Sequence, residues 1–279
     1  MISIPHKPLG RDGASIPALG LGVFRMAAED TVRMVRDALQ LGYRHVDTAQ
    51  IYGNEAEVGR GLAESGVARE DIFLTTKVWV DKYRRQDLLR SAEDSLARLR
   101  TGYVDLLLLH WPNAEVPLAE QIDGLNEARA RGLARHIGVS NFNTELMREA
   151  AALSAAPLAA NQVEYHPYLD QSAVRAEAAR LGMTVTAYYG MADGKVLDDP
   201  VIAGIARRLD RTPAQVALRW LVQQDNVVAL SKTVRRDRAL SNARIFDFEL
   251  GPADMAAISA LARPDGRLVS PEGLAPAWD

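Results

Sequence analysis

Eight short apolar runs, each followed by a stretch of helical period, recur along this 279-residue chain. They are Ala18–Leu21, His45–Thr48, Ile72–Val78, Val104–His110, Ala134–Ser140, Ala159–Glu164, Met183–Tyr188 and Val227–Ser231. This is the spacing that βα units require. Several runs are apolar on both faces, Val104-Asp105-Leu106-Leu107-Leu108-Leu109 most plainly. Strands of that kind belong to a parallel sheet covered on both sides.

The intervening segments carry helical punctuation. Val32, Val35 and Leu39 share one face, and Gly42 stops that helix; Val174, Ala178 and Leu181 share another, and Gly182 stops it. Gly132 has the same place before Leu133. A glycine just past a helix and just before a strand is the expected left-handed cap. Thr212-Pro213-Ala214-Gln215 supplies an N-cap, a proline at the first helical position and a capping-box glutamine, for a helix running through Trp220.

An eight-stranded barrel and a doubly wound open sheet both fit this order. Uniform repetition of eight units favours the barrel, so the expected fold is α/β, a (β/α)8 TIM barrel. The expected organisation is a single domain over 1–279, with an N-terminal β-hairpin (1–17) turning at Asp12-Gly13. Two extra helices, Pro200–Leu209 and Pro252–Ala262, and an irregular tail over 263–279 complete it.

Composition removes several classes of function. The net charge is -3, with 48% apolar and 25% charged residues, far from the basic footprint of a nucleic-acid binder. There is no cysteine, which excludes thiol catalysis, disulfides and thiolate metal sites. Leu106–Leu109 is the longest apolar run worth noting, far short of a membrane span, and no secretory signal is visible at MISIPHKPLG. A soluble, cytoplasmic protein with no membrane or nucleic-acid partner is expected. No HExxH, GxSxG or EF-hand pattern occurs, and the histidines lack ligand spacing, so no metal is expected. Gly20-Leu21-Gly22 lacks the third glycine of a dinucleotide fingerprint. The 190–195 stretch is one residue short of a P-loop and reads as a flexible loop. His166, before Pro167, reads as structural.

In a barrel, function sits at the C-terminal ends of the strands. Those ends carry Asp47, Lys77, His110, Ser140-Asn141, Gln162, Tyr188 and Ser231-Lys232-Thr233. Alone, Lys77 could be a solvated strand end and His110 a structural histidine. Seven strands agreeing is harder to dismiss, because these ends converge on one mouth. Tyr52 follows Asp47 by five residues. An ammonium beside a phenol is expected to lower its pKa from about 10. Asp47 can hold Lys77 charged, and His110 can orient a carbonyl oxygen. The set suits protonation of an oxygen as it gains charge, as in hydride delivery to a carbonyl. The run from Ser231 to Arg238 crowds basic and hydroxyl groups at a helix start, an anion site by its chemistry or a solvated basic helix face.

At these residues the sequence resembles the aldo-keto reductase family over essentially its full length. GYRHVDTAQIYGNEAEVGRGL, TTKVW, DLLLLHWP, IGVSNF, NQVEYHPYL and KTVRRDRALSN occur in family order. The nearest likeness is to the bacterial branch with 2,5-diketo-gluconate and methylglyoxal reductases. The resemblance implies a barrel that binds NADP(H) and reduces small carbonyl substrates, aldehydes and ketones, to alcohols. It implies Tyr52, Asp47, Lys77 and His110 as the catalytic tetrad, with Tyr52 the general acid. It implies Ser140, Asn141 and Gln162 at the nicotinamide carboxamide and Tyr188 stacked on the ring. Lys232, Thr233, Arg235 and Arg238 fall at the 2′-phosphate and adenine, and Asn242 at the adenine. Phe24, Trp79, His110, Trp111 and Trp278 are expected to wall the substrate pocket. Tyr189-Gly190-Met191 replaces the common Ser-Pro-Leu, Ser231 a common proline and Ser241 a common acidic residue. The short tail suggests an open pocket and small, polar substrates. Methylglyoxal, diketo-sugar acids and aromatic aldehydes all stay open. Two other functions compete: a lyase using Lys77 in a Schiff base, and a non-catalytic NADPH-binding regulator.

Overall fold

Eight parallel strands close into a barrel in the computed structural model, which describes residues 2–279. A hairpin of β1 (His6–Leu9) and β2 (Ala14–Pro17) precedes them. The barrel strands are β3 (Leu19–Gly22), β4 (His45–Asp47), β5 (Phe73–Val78), β6 (Val104–Leu109), β7 (Ala134–Ser140), β8 (Leu158–Glu164), β9 (Thr184–Tyr188) and β10 (Val227–Ser231). Each pairs with its neighbours in sequence, and β10 closes onto β3. The expected (β/α)8 fold, hairpin and two extra helices are all present.

Strand limits differ from the expected ones by about a residue, where single ladder bonds outlast the strand. Thr48 N still donates to Thr75 O at 2.9 Å, and His110 N to Val78 O at 3.2 Å. The barrel helices are α1 (Ala28–Leu41), α2 (Glu55–Glu64), α3 (Arg85–Leu99), α4 (Leu118–Ala130), α5 (Thr144–Leu153) and α6 (Ser172–Leu181). The extra helix α7 (Pro200–Arg208) precedes α8 (Pro213–Gln223) and α9 (Arg236–Ala243), and α10 (Pro252–Ser259) follows them. Gly42 caps α1 at φ 119°, a conformation that costs any residue with a Cβ. Thr212 and Gln215 form the full capping box at α8. No helix among the described residues is long and apolar enough to cross a membrane.

The hairpin closes one end of the barrel. Leu9 and Ile16, both buried, pack with Leu106, Leu108, Ala160 and Val228 of the barrel lumen. Burying two such side chains contributes roughly 1.5–3 kcal/mol each. The opposite, C-terminal end is left as the open one.

The 190–195 stretch departs from expectation. It leads into a 3-10 turn over Ala192–Leu197, kinked where Asp193 and Gly194 take left-handed φ of 56° and 88°. Tyr189 Oη donates to Asp193 Oδ1 at 2.7 Å across the bend. The last helix ends at Ser259, three residues short of the expected Ala262, and the tail over 263–279 is irregular, as expected, but lies across the open mouth.

Candidate active site

Strand parity decides which side chains meet. Successive residues of a strand point to opposite faces. Along β5, Thr75 meets the His45 ring at 3.2 Å inside the barrel, while Thr76 reaches outward to Glu55 of α2 at 2.6 Å. Lys77 is therefore inward again. The same alternation turns Asp47, His110, Ser140, Gln162 and Tyr188 toward the mouth. There they surround a cavity of about 470 Å³ that also takes in Tyr52, Trp79 and Lys232.

Lys77 is fully buried. Its Nζ donates to Asp47 Oδ1 at 2.6 Å, to Thr48 O at 2.8 Å and to Tyr52 Oη at 3.3 Å. An ammonium has three N–H donors, so all of them are engaged. Burial pushes the Lys77 ammonium down and the Asp47 carboxyl up, and the contact between them opposes both shifts. Because Tyr52 Oη accepts from Lys77, its own O–H is left for a second partner. This engagement also removes support for a Lys77 Schiff-base lyase, which needs a free amine at the cavity surface.

The expected lowering of the Tyr52 pKa does not occur. Burial and the negative charge of Asp47 raise it well above 10. The ammonium 3.3 Å away is itself matched by Asp47, so the pair presents little net positive field. His110 shifts the other way: burial, then the Lys77 charge, hold it well below its usual 6.5. Its Nδ1 is buried with no partner, leaving Nε2 to face the cavity. The ring stands edge-on to Tyr52 and Trp79, with centroids 5.7 and 5.2 Å away.

Tyr52 rides on a short 3-10 turn, Gln50–Tyr52. Gln50 fastens that turn, donating to Ser91 O and Ser95 Oγ of α3 at 3.0 Å each and accepting from Trp79 N at 2.9 Å. Asn54 adds a donor bond to Val23 O at 3.0 Å. Gln50 lies within the DTAQIYGNE stretch, but the sequence reading gave it no role, because its partners on α3 and at Trp79 are distant in the chain.

The residues expected at the nicotinamide are bonded to one another. Gln162 Nε2 donates to Asp47 Oδ2 at 2.7 Å. Ser140 Oγ donates to Gln162 O at 2.7 Å, and Asn141 Nδ2 to His110 O at 2.9 Å. Tyr188 Oη donates to Asn141 Oδ1 at 2.7 Å. Asn141 takes a left-handed φ of 63°, a conformation asparagine tolerates better than most residues.

The basic cluster continues from the cavity over the surface at the start of α9. Lys232, Arg235 and Arg238 are exposed and Thr233 is buried, while Asn242 is half-buried. Arg235 is ion-paired with Asp237 at 2.5 Å. Lys232 and Arg238 have no ion-pair partner among the described residues. Arg33 of α1 joins the cluster, donating to Val234 O at 2.9 Å.

Phe24, Trp79, His110 and Trp111 line the cavity, but Trp278 does not. Trp278 is held behind Trp111, 6.3 Å away edge-on, by the Arg267 guanidinium 3.5 Å over its ring. Ile51, Val269 and Pro271 line the cavity instead. The wall is thus largely apolar, and the short tail contributes Val269 and Pro271 to it. Arg25, whose guanidinium lies 4.9 Å over the Phe24 ring, is a further charged lining residue that the sequence reading missed.

Comparison with known proteins agrees with this architecture. The Aldo/keto reductase family model matches residues 18–263. Methylglyoxal reductase DkgB of Escherichia coli O157:H7 is 47% identical over 268 residues, 95% of this chain and 100% of that one. A crystal structure provisionally named 2,5-diketo-D-gluconic acid reductase B superposes with a TM-score of 0.96 at 58% identity, covering 99% of this chain and 98% of that one. A mutant of Gox0644 in complex with NADPH superposes with a TM-score of 0.90 at 35% identity, over 96% and 97% of the two chains. With the motifs, the closed barrel and these matches in agreement, the chain belongs to the aldo/keto reductase family.

Proposed function

We propose that this chain reduces aldehydes and ketones to alcohols with NADPH, and that Tyr52 delivers the proton. The observation that carries the reading is the bond from Lys77 Nζ to Tyr52 Oη, which frees the phenol proton for a ligand in the cavity.

The donor set fits a dinucleotide. Gln162 keeps its carbonyl oxygen for a carboxamide N–H, since its amide nitrogen is engaged by Asp47. Ser140 and Asn141 complete that corner, and Tyr188 offers a ring face beside them. Lys232 and Arg238, without an ion-pair partner among the described residues, with Thr233, Arg235 and Asn242 nearby, suit a phosphate and an adenine. When bound, the reduced nicotinamide supplies a hydride for the carbonyl carbon.

The chain's own groups then handle the oxygen. His110, neutral at physiological pH, donates from Nε2 to the carbonyl oxygen and fixes its direction. Tyr52, also neutral, gives up its proton as that oxygen gains charge. Lys77 stabilises the phenolate left behind, and Asp47 keeps Lys77 in place. Phe24, Trp79 and Trp111 exclude water from the reacting carbon.

The relatives named for methylglyoxal and diketo-gluconate support small 2-oxoaldehydes and diketo-sugar acids as substrates. The apolar wall supports aromatic aldehydes as well. A monomeric state fits a cavity completed by the chain's own tail, and a cytoplasmic location fits an NADPH requirement. A non-catalytic NADPH-binding role is not favoured, because all four tetrad side chains are present and in contact. The test is NADPH absorbance with methylglyoxal, a diketo-sugar acid and benzaldehyde. No aldehyde-dependent oxidation of NADPH by the purified chain would sink the reading.

A further inference from the structure

Glu164, the last residue of β8, is a fully buried carboxylate that the tetrad does not use. Both of its oxygens are aimed at the tail. Oε1 accepts from Leu268 N at 2.7 Å and Oε2 from Val269 N at 2.9 Å. His166 Nε2 bonds Oε1 at 2.9 Å, and Arg267 Nη1 stands 3.8 Å from Oε2. Because the acceptor is a carboxylate, His166 carries its proton on Nε2, while its Nδ1 is buried without a partner. Two successive backbone amides on one carboxylate resemble the way a capped helix end is satisfied, but here the chain is irregular. No ladder or helix bond would hold this stretch without Glu164.

The clamp bears on the cavity at two points. Val269 lines it directly. Arg267 lies over Trp278, which stands edge-on to Trp111, another lining residue. The far end of the tail is tied separately, by Asn143 Nδ2 to Ala277 O at 2.8 Å and by Thr144 Oγ1 to Asp279 at 2.6 Å. Arg263 N donates to Tyr168 O at 3.2 Å and Trp278 Nε1 to Ser270 Oγ at 3.1 Å on either side, and between them Glu164 is the barrel's hold on Arg267–Val269.

We infer that Glu164 is a positioning residue for substrate: its carboxylate fixes Arg267–Val269 against the barrel and so sets the tail-side wall of the cavity. The inference rests on the carbonyl-reductase reading of that cavity. A substrate as small as methylglyoxal sits within reach of Tyr52 and His110 and does not need the wall. An aromatic aldehyde does, and losing an apolar contact of this size changes its selection by about tenfold.

The test compares the full-length wild type with Glu164→Gln, which keeps the shape but cannot serve both amides as a charged acceptor. Hydrogen–deuterium exchange at Leu268 and Val269 should speed up. The KM for benzaldehyde should rise about tenfold, with kcat and the KM for methylglyoxal little changed. NADPH affinity, read by fluorescence, should hold. Val269→Ala should raise the benzaldehyde KM in the wild type but add little in the Glu164→Gln background. Unaltered exchange, equal KM changes for both aldehydes, or additive effects with Val269→Ala would overturn the assignment. Should Glu164→Gln fail to fold, Leu268→Pro removes one of the two amide donors while leaving the buried carboxylate and the Val269 side chain intact, and exchange at Val269, the KM split and the Val269→Ala cycle are read as before. A wild type that turns over neither aldehyde instead removes the reading beneath.

Discussion

Gln162 donates its side-chain amide to Asp47 at 2.7 Å, across the barrel from β8 to β4. The other Asp47 oxygen accepts from Lys77 at 2.6 Å. A residue placed by family likeness at the cofactor is therefore also part of the proton machinery. Replacing Gln162 with leucine leaves a buried carboxylate oxygen without its donor, at a cost of about 1–3 kcal/mol. The expected outcome is a lower denaturation midpoint together with weaker NADPH binding and slower turnover. Weaker NADPH binding with unchanged stability and turnover would confine Gln162 to the cofactor.

Tyr52→Phe should fold normally and bind NADPH, because the ring remains and only one long bond to Lys77 is lost. Turnover should fall by about 10²–10⁴, the usual size of a positioned proton donor. Cofactor titration and steady-state kinetics on the same preparation decide it, and near-normal kcat in the phenylalanine variant removes Tyr52 from its role.

The pH dependence follows from the two shifted groups. Tyr52 donates only while protonated, and its pKa is raised above 10, so reduction keeps its acid form through neutral and mildly alkaline pH. His110 is active as the neutral ring, and its pKa lies well below 6.5, so no loss is expected on going down through 6.5. The kcat/KM for an aldehyde should be flat between about pH 6 and 9. A half-drop centred near 6.5 would mean that His110 titrates normally.

The barrel was legible because its signals are local. Apolar runs, glycine caps at Gly42 and Gly182 and the Thr212 box each act over a few residues, and the strands they delimit fall within a residue or so of those observed. That Asp47, Tyr52, Lys77 and His110 meet at one mouth was legible through strand ends and motif spacing. The missed features are bonds between distant elements. Nothing near Gln50 announces that it reaches α3 and Trp79, and nothing near Glu164 announces Leu268. The direction of the Tyr52 shift was missed for a similar reason. Desolvation depends on everything packed around the phenol, whereas the sequence shows only that a lysine can be near.

The buried Asp47–Lys77 pair makes a test of cooperation within the site. Each member has 2% side-chain exposure or less, so removing one strands the other in a medium that solvates charge poorly. Lys77→Met should destabilise the fold by about 3–5 kcal/mol, and Asp47→Asn should be costly too. Removing both leaves no uncompensated charge, so the double variant should lose less stability than the two single losses added together. Denaturant titration of the four proteins measures the difference. Strict additivity would mean that water or another group screens these charges. The engagement of all three Lys77 donors, on which the Tyr52 argument rests, would then be wrong.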